Sequence, residues 1–265
     1  MTTCRDVHSE DFWLETPAGC LFAKRWTSTA GDAVAGAPLI LLHDSLGSVE
    51  QWREFPASLA RSTRRSVVAY DRLGFGRSDP RQDQVPIDFI EGEASGSFRH
   101  VREALAIDRF SVLGHSVGGG MAVGIAAAYP AHCESLITLS AQSFVEDLTL
   151  SGIRAAGQVF EQPAQVDRLR RYHGDKAAWV LRAWIDRWLD PAFAGWSLDP
   201  VLSGVVSPAL VLHGSRDEYG SRLHPERIAT LSAGPAAVHV GDWGACSASG
   251  ATRGCRPAGL EHLGR

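Results

Sequence analysis

Gly114-His115-Ser116-Val117-Gly118 lies between the apolar run Phe110 to Leu113 and the small-residue run Met121 to Ala128. The pattern reads as a nucleophile elbow, a sharp strand-to-helix turn that lifts a serine hydroxyl into a site. Glycine at both ends fits a strained turn with close strand–helix packing, where a Cβ has no room. A serine hydroxyl is a weak nucleophile, so the reading calls for a general base and for a carboxylate to orient that base. The plainer alternative is an ordinary serine at a helix start. A carboxylate is easy to find in this chain, and the base is not.

The elements that must position such a serine follow from hydrophobic patterning. Leu21 to Trp26, Pro38 to Leu42, Ser66 to Tyr70, Phe110 to Leu113, Leu136 to Leu139, Pro208 to Leu212 and Ala236 to Val240 are candidate strands. Several are continuously apolar, as in a parallel sheet covered on both faces. Trp52 to Arg61, Phe98 to Ile107, Val117 to Tyr129 and Pro225 to Leu231 are candidate helices between them. The alternation predicts a doubly wound, mostly parallel α/β sheet. From about Gln142 to Val206 no strand-like run occurs, while Ala177, Val180, Leu181, Trp184, Ile185, Trp188 and Leu189 recur at helical spacing. A helical insertion is expected there. Its tryptophan stripe is ordinarily core, yet a cap over the carboxyl ends of the strands would also hang aromatics above a pocket. The expected divisions are core 1–141, cap 142–206, core 207–243, and an atypical, disordered tail 244–265.

Composition sets the outer limits. The 265 residues are 45% hydrophobic and 21% charged, with formal net charge −4 and scattered Lys and Arg, so neither nucleic acid nor an anionic membrane is an expected partner. The start lacks the basic-then-apolar pattern of a signal peptide and no apolar run approaches a bilayer span, which predicts a cytoplasmic protein, monomer or homodimer. Five widely spaced cysteines without a C-x-x-C pair indicate neither a disulfide framework nor a zinc site. No cofactor or metal is expected. Gly74-Phe75-Gly76 lacks the third glycine of a dinucleotide fingerprint.

Several motifs in one order resemble the α/β-hydrolase fold superfamily. Leu41-Leu42-His43-Asp44-Ser45-Leu46-Gly47 resembles its His-Gly oxyanion loop, and Asp71-Arg72-Leu73-Gly74-Phe75-Gly76-Arg77-Ser78 its Asp-x-x-Gly-x-Gly-x-Ser turn. Gly114 to Gly118 is the elbow, and Leu212-His213-Gly214-Ser215-Arg216-Asp217 resembles the strand end carrying the triad acid. The resemblance runs from about Leu21 to Asp242. It implies Ser116 as nucleophile, Asp217 as acid with Glu218 as fallback, and Ser45 and Val117 as the N–H donors of the oxyanion hole. Solvated loop carboxylates are the alternative for Asp217 and Glu218. Asp44 departs from the pattern by occupying the usual glycine position, and its side chain is expected to turn away from the developing negative charge. The implied activity is a serine hydrolase acting on an ester, thioester or lactone through an acyl-enzyme, with carbon–carbon bond hydrolysis in the family's range. The substrate is a small acyl compound. Serine at the elbow argues against a haloalkane dehalogenase, and a non-catalytic small-molecule-binding protein on the same scaffold is the alternative.

The family's histidine follows the last strand in a motif resembling Gly-His-x-Pro-His-x-Glu-x-Pro, but here Gly244 is followed by Ala245. His115 is expected to be a pocket wall, His43 a structural partner of its loop, and His100, His132, His173 and His224 solvated. His239 lies within a strand and His262 in a tail without a docking pattern. Reading second and third codon bases from Ala245 with the first base of the next codon permits Gly-His-Val-Pro-His-Arg-Glu-Gln-Pro-Glu, the family's ending. The expectation is that one extra base near the Gly244–Ala245 junction shifted the frame, removed the base and last helix, and impaired activity and solubility.

Overall fold

The computed structural model describes residues 6–29 and 36–245. Of the tail expected over 244–265, Gly244 ends a strand and Ala245 N–H donates to Glu218, while residues 246–265, His262 among them, lie outside the described residues. Eight strands form one sheet in the order β1-β2-β4-β3-β5-β6-β7-β8. The short runs β3 (Leu39–Leu42), β4 (Val67–Tyr70) and β5 (Phe110–His115) are buried throughout. Together with β6 (Cys133–Leu139), β7 (Ala209–Arg216) and β8 (Ala236–Gly244) they are parallel. Their side chains still alternate: Ile40, Leu42, Val68 and Val112 enter one core, while Leu39, Leu41, Val67 and Leu113 enter the other.

One strand escaped the hydrophobic reading. β1 (Val7–Thr16) pairs antiparallel with β2 (Gly19–Ser28), which in turn runs antiparallel to β4. As an edge strand it is mostly exposed, so its charged residues mask any apolar run. β8 is also poorly covered; residues 236–239 are exposed.

The chain leaves central β3 for β4 on one side and returns to β5 on the other, which makes the β3/β5 boundary a switch point. Register aligns Leu42 with Gly114, His115 with Leu139, and Leu139 with Leu212. The loops after β3, β5, β6 and β7 therefore emerge at one sheet edge. Helix α1 (Phe55–Thr63), with Pro56 in its first turn, covers the second core. The first core takes α2 (Ser97–Ala104) and α3 (Val117–Ala128). α3 is buried through Ala126 because its sequence, VGGGMAVGIAAA, presents small or apolar residues on every side.

Between β6 and β7 lie α4 (Asp147–Phe160), α5 (Pro163–His173), a 3-10 turn (Gly174–Lys176), α6 (Ala177–Trp188) and the short α7 (Asp199–Leu202). α5, the turn and α6 form an inserted helical cap. α8 (Leu223–Leu231) then leads to β8. Two histidines expected to be solvated are instead buried where cap meets core. His173 accepts from the Gly76 N–H at Nδ1 and donates through Nε2 to the Leu46 carbonyl, both at 2.9 Å. His224 accepts from the Ser143 N–H (3.1 Å) and donates to Glu146 (2.9 Å). A neutral imidazole offers one donor and one acceptor, so each ring can be dry and fully paired. Burial holds His173 below its usual range and His224 down to about 4, against the pull of Glu146 on the latter.

Two stability tests follow. Gly118→Ala would drive a Cβ into the Leu42 and His43 carbonyls, whereas Gly195 has open space around it. Urea unfolding should show a loss of more than ~2 kcal/mol for Gly118→Ala and little change for Gly195→Ala. The second concerns Glu93, buried against the Tyr70 hydroxyl at 2.5 Å and pushed by burial from 4.5 up to about 7. The unfolded chain loses that proton first, so Glu93 contributes full stability below about pH 4.5 and progressively loses it up to about pH 7. Glu93→Gln should raise the urea midpoint relative to the unaltered chain at pH 8 and lose that advantage toward pH 4.5.

Candidate functional site

Ser116 sits between the end of β5 and the start of α3 at φ 54°, ψ −125°. That backbone costs a non-glycine residue roughly 1–3 kcal/mol. The surroundings impose it: Ser116 N–H donates to Leu139 (2.9 Å) and its carbonyl accepts from Gly119 (2.8 Å). A Cβ on Gly114 would overlap the Gly118 carbonyl, and one on Gly118 the Leu42 carbonyl. Both elbow glycines are thus required by backbone contact. The Ser116 hydroxyl points to Gln142 Oε1 at 3.3 Å, a partner the sequence reading did not single out. Gln142 follows Ser140, itself at φ 48° beyond β6, and only register with β5 brings it there.

The loop after β3 is gripped by buried Arg72. Its guanidinium donates to the Asp44 carbonyl (2.7 Å) and to His43 Nε2 (3.3 Å) and lies 4.3 Å from the Phe75 ring centroid. His43 Nδ1 donates to the same Asp44 carbonyl at 2.8 Å. Burial and the Arg72 charge keep His43 neutral, well below its usual range. Asp44 is engaged by its own loop: Oδ1 accepts from Leu46 N–H at 2.9 Å and Oδ2 faces His115 Nδ1 at 3.2 Å. Burial alone would raise its carboxyl, but the bond to His115, together with neighbouring charge and Leu46 N–H, brings it well below the ordinary carboxylate range. Ser45 and Val117 face one small chamber of about 150 Å³. Val117 opens α3, where backbone N–H groups have no helical acceptor.

The Asp71 turn buttresses this loop. Asp71 accepts from Val49 N–H at 2.6 Å and Arg77 N–H at 2.8 Å, while the Ser78 hydroxyl donates to its carbonyl at 2.6 Å. A Cβ on Gly76 would strike the Asp71 carboxylate. These contacts account for the Asp, second glycine and serine of that motif.

Asp217 follows β7 and is 7% exposed. Its Oδ1 accepts from Tyr219 N–H at 2.8 Å, while Oδ2 has no hydrogen-bond partner among the described residues. Burial raises its carboxyl, and the Tyr219 N–H pulls the other way. Ser116 and Asp217 line the same cavity of about 550 Å³, which also reaches Ser45, Glu218 and Ala245. Glu218 accepts from Ala245 N–H at 3.1 Å. His115 is on the cavity wall, and His239 is exposed on β8 against Trp243. Among the described residues no histidine is bonded to Asp217 Oδ2.

Trp184 and Trp188 line both cavities. Trp188 also packs on Phe193 and Trp196 at centroid distances of 5.4 and 5.7 Å, so the stripe is core and wall at once. Among the described residues no group of three or more His, Cys, Asp and Glu could hold a metal. No described helix is long and apolar enough to cross a membrane.

Comparison with known proteins agrees with this layout. Residues 37–171, half of the chain, match the alpha/beta hydrolase fold family. The serine hydrolase BPHL of Homo sapiens is 30% identical over 198 residues, 72% of this chain and 66% of that protein. The proline iminopeptidase of Lactobacillus delbrueckii subsp. lactis is 32% identical over 150 residues, 56% of this chain and 47% of the relative. The chain thus spans less than two thirds of either relative's length. The crystal structure of an enol-lactonase from Burkholderia xenovorans superposes with TM-score 0.68 over 91% of this chain and 94% of that one, at 19% identity, a likeness of fold. By the match over residues 37–171, which holds the central strands and the Ser116 turn, the chain belongs to the α/β-hydrolase fold family.

Proposed function

We propose that the protein is a serine hydrolase scaffold for an ester, thioester or lactone, with Ser116 as nucleophile and Asp217 as the acid that orients a histidine base. The supporting observation is the strained Ser116 turn on one cavity with a buried carboxylate oxygen that lacks a partner. Ser116 Oγ would attack the acyl carbonyl, and the N–H groups of Ser45 and Val117 would bind the resulting oxyanion. Each such donor contributes roughly 3 kcal/mol of transition-state stabilisation. The base would pass the serine proton to the leaving group, and water would release the acyl-enzyme. Core 1–141 and 207–243 would carry the chemistry, cap 142–206 the choice of substrate, and 244–265 an atypical tail.

The base is the missing piece. The shifted reading frame permits histidine at position 245, and Ala245 lines the same cavity as Ser116 and Asp217. That coincidence supports a lost histidine at the Gly244–Ala245 junction. The second reading, a non-catalytic small-molecule-binding protein, draws on the same vacancy of Asp217 Oδ2.

A fluorophosphonate probe should label the Ala245→His chain at Ser116 and fail to label it once Ser116→Ala is added; labelling that persists in the double variant would remove Ser116 from this role. Ala245→His should raise nitrophenyl butyrate hydrolysis by about 10²–10⁴-fold, the usual contribution of a positioned general base. Asp217→Asn in that background should abolish most of the gain. Labelling without any gain from Ala245→His would favour the binding reading. Determining the coding DNA across the junction tests the frame itself: codons from 245 that forbid the family's ending would overturn it.

A further inference from the structure

One wall of the large cavity carries charge that the acyl chemistry does not use. Arg168 and Arg171, three residues apart on α5, line it together with Gln165, Leu169 and Tyr172 of the same helix face. Arg53 reaches it from the turn after the 3-10 segment Glu50–Trp52. All three arginines are exposed, and none forms a salt bridge with a described carboxylate. The neighbouring Arg170, by contrast, is paired with Asp167 at 2.8 Å on another face of α5. Arg168 touches only Gln165 Oε1, at 3.1 Å.

Arg53 adds a backbone argument. It sits at φ 50°, ψ −123°, nearly the geometry of Ser116, and glycine would adopt that conformation without strain. A long cationic side chain is kept at a strained position on the cavity mouth, flanked in sequence by Glu54 yet unpaired with it.

Among the described residues three carboxylates also line the cavity, and none of them is ion-paired with these arginines. Asp44 is held by His115 and Leu46 N–H, Glu218 accepts from Ala245 N–H, and Asp217 is bonded to Tyr219 N–H with its other oxygen buried. The lining therefore carries three guanidinium groups without a salt-bridge partner among the described residues, together with apolar Ile153, Leu169 and Trp188. Arginine is suited to planar, bidentate recognition of carboxylate.

We infer that Arg53, Arg168 and Arg171 form a subsite for a carboxylate at the far end of the substrate, so that the acyl compound is a half-ester or lactone acid rather than a neutral ester. The inference rests on the hydrolase reading for the word substrate, but not for the binding itself. The guanidinium groups would hold the anion by paired hydrogen bonds while the scissile carbonyl sits at Ser116.

The test needs no turnover. Calorimetric titration of the full chain carrying Ser116→Ala with monomethyl glutarate and with dimethyl glutarate compares an anion with its neutral counterpart of similar size. The monoester should bind about tenfold more tightly or better at low salt, a preference that shrinks as sodium chloride is added. Adding Arg53→Gln, Arg168→Gln and Arg171→Gln together should abolish the preference, with the urea midpoint confirming that the variant is folded. Equal affinity for the two esters, binding of neither, or a preference that survives in the triple variant would overturn the subsite. Fluorophosphonate labelling of the Ala245→His chain keeps the two ideas apart: labelling without anion preference removes only the subsite, and anion preference without labelling removes only the hydrolase.

Discussion

The close approach of α3 to the end of the sheet governs this molecule. Gly114 and Gly118 let backbone meet backbone where side chains would normally keep elements apart, and Gly119 does the same against Ala141. With the helix seated so near, the residue joining it to β5 has no relaxed conformation available and takes the positive φ seen at Ser116. The strain is offset by what surrounds it: a helix buried on every side and strands buried along their whole length. The serine's exposure to the cavity is thus a by-product of core packing, and the backbone bonds to Leu139 and Gly119 hold the strained turn in place.

Around that fixed point the polar groups divide into those that build and those that remain available. Arg72, His43 and Asp71 are buried and saturated, and their bonds run to the loop after β3 or to the turn that supports it. Asp44 has two partners although it borders the cavity. Asp217 keeps one oxygen without a partner in a setting where an unsatisfied buried acceptor is costly. A buried acceptor left in that state is disposed to accept a hydrogen bond from whatever donor reaches it.

What was legible in the sequence follows from how local each feature is. The central parallel strands and α3 announce themselves because a strand buried on both faces has nothing but apolar residues to show, and the Ser116 turn, the Asp71 turn and the loop after β3 are contiguous segments whose glycines answer to nearby atoms. β1 was hidden because an edge strand exposes charge along most of its length. His173 and His224 were misread because their neighbours in sequence are polar, while their partners, Leu46 with Gly76 and Ser143 with Glu146, are far away along the chain. Gln142 could be found only through the register of β5 and β6. The tryptophan stripe posed a false choice, since one indole face can pack inward while another borders a void.

His173 does more than fill space. The last residue of α5 holds the Gly76 N–H on one ring nitrogen and the Leu46 carbonyl with the other. α5 cannot swing outward without stranding both backbone groups, at about 1–3 kcal/mol for each buried group left unpaired. Cap and the loop after β3 consequently share a mechanical latch: the ring that closes the roof also sets the height of the loop beneath it, so access to the cavity and the shape of its floor are one degree of freedom instead of two.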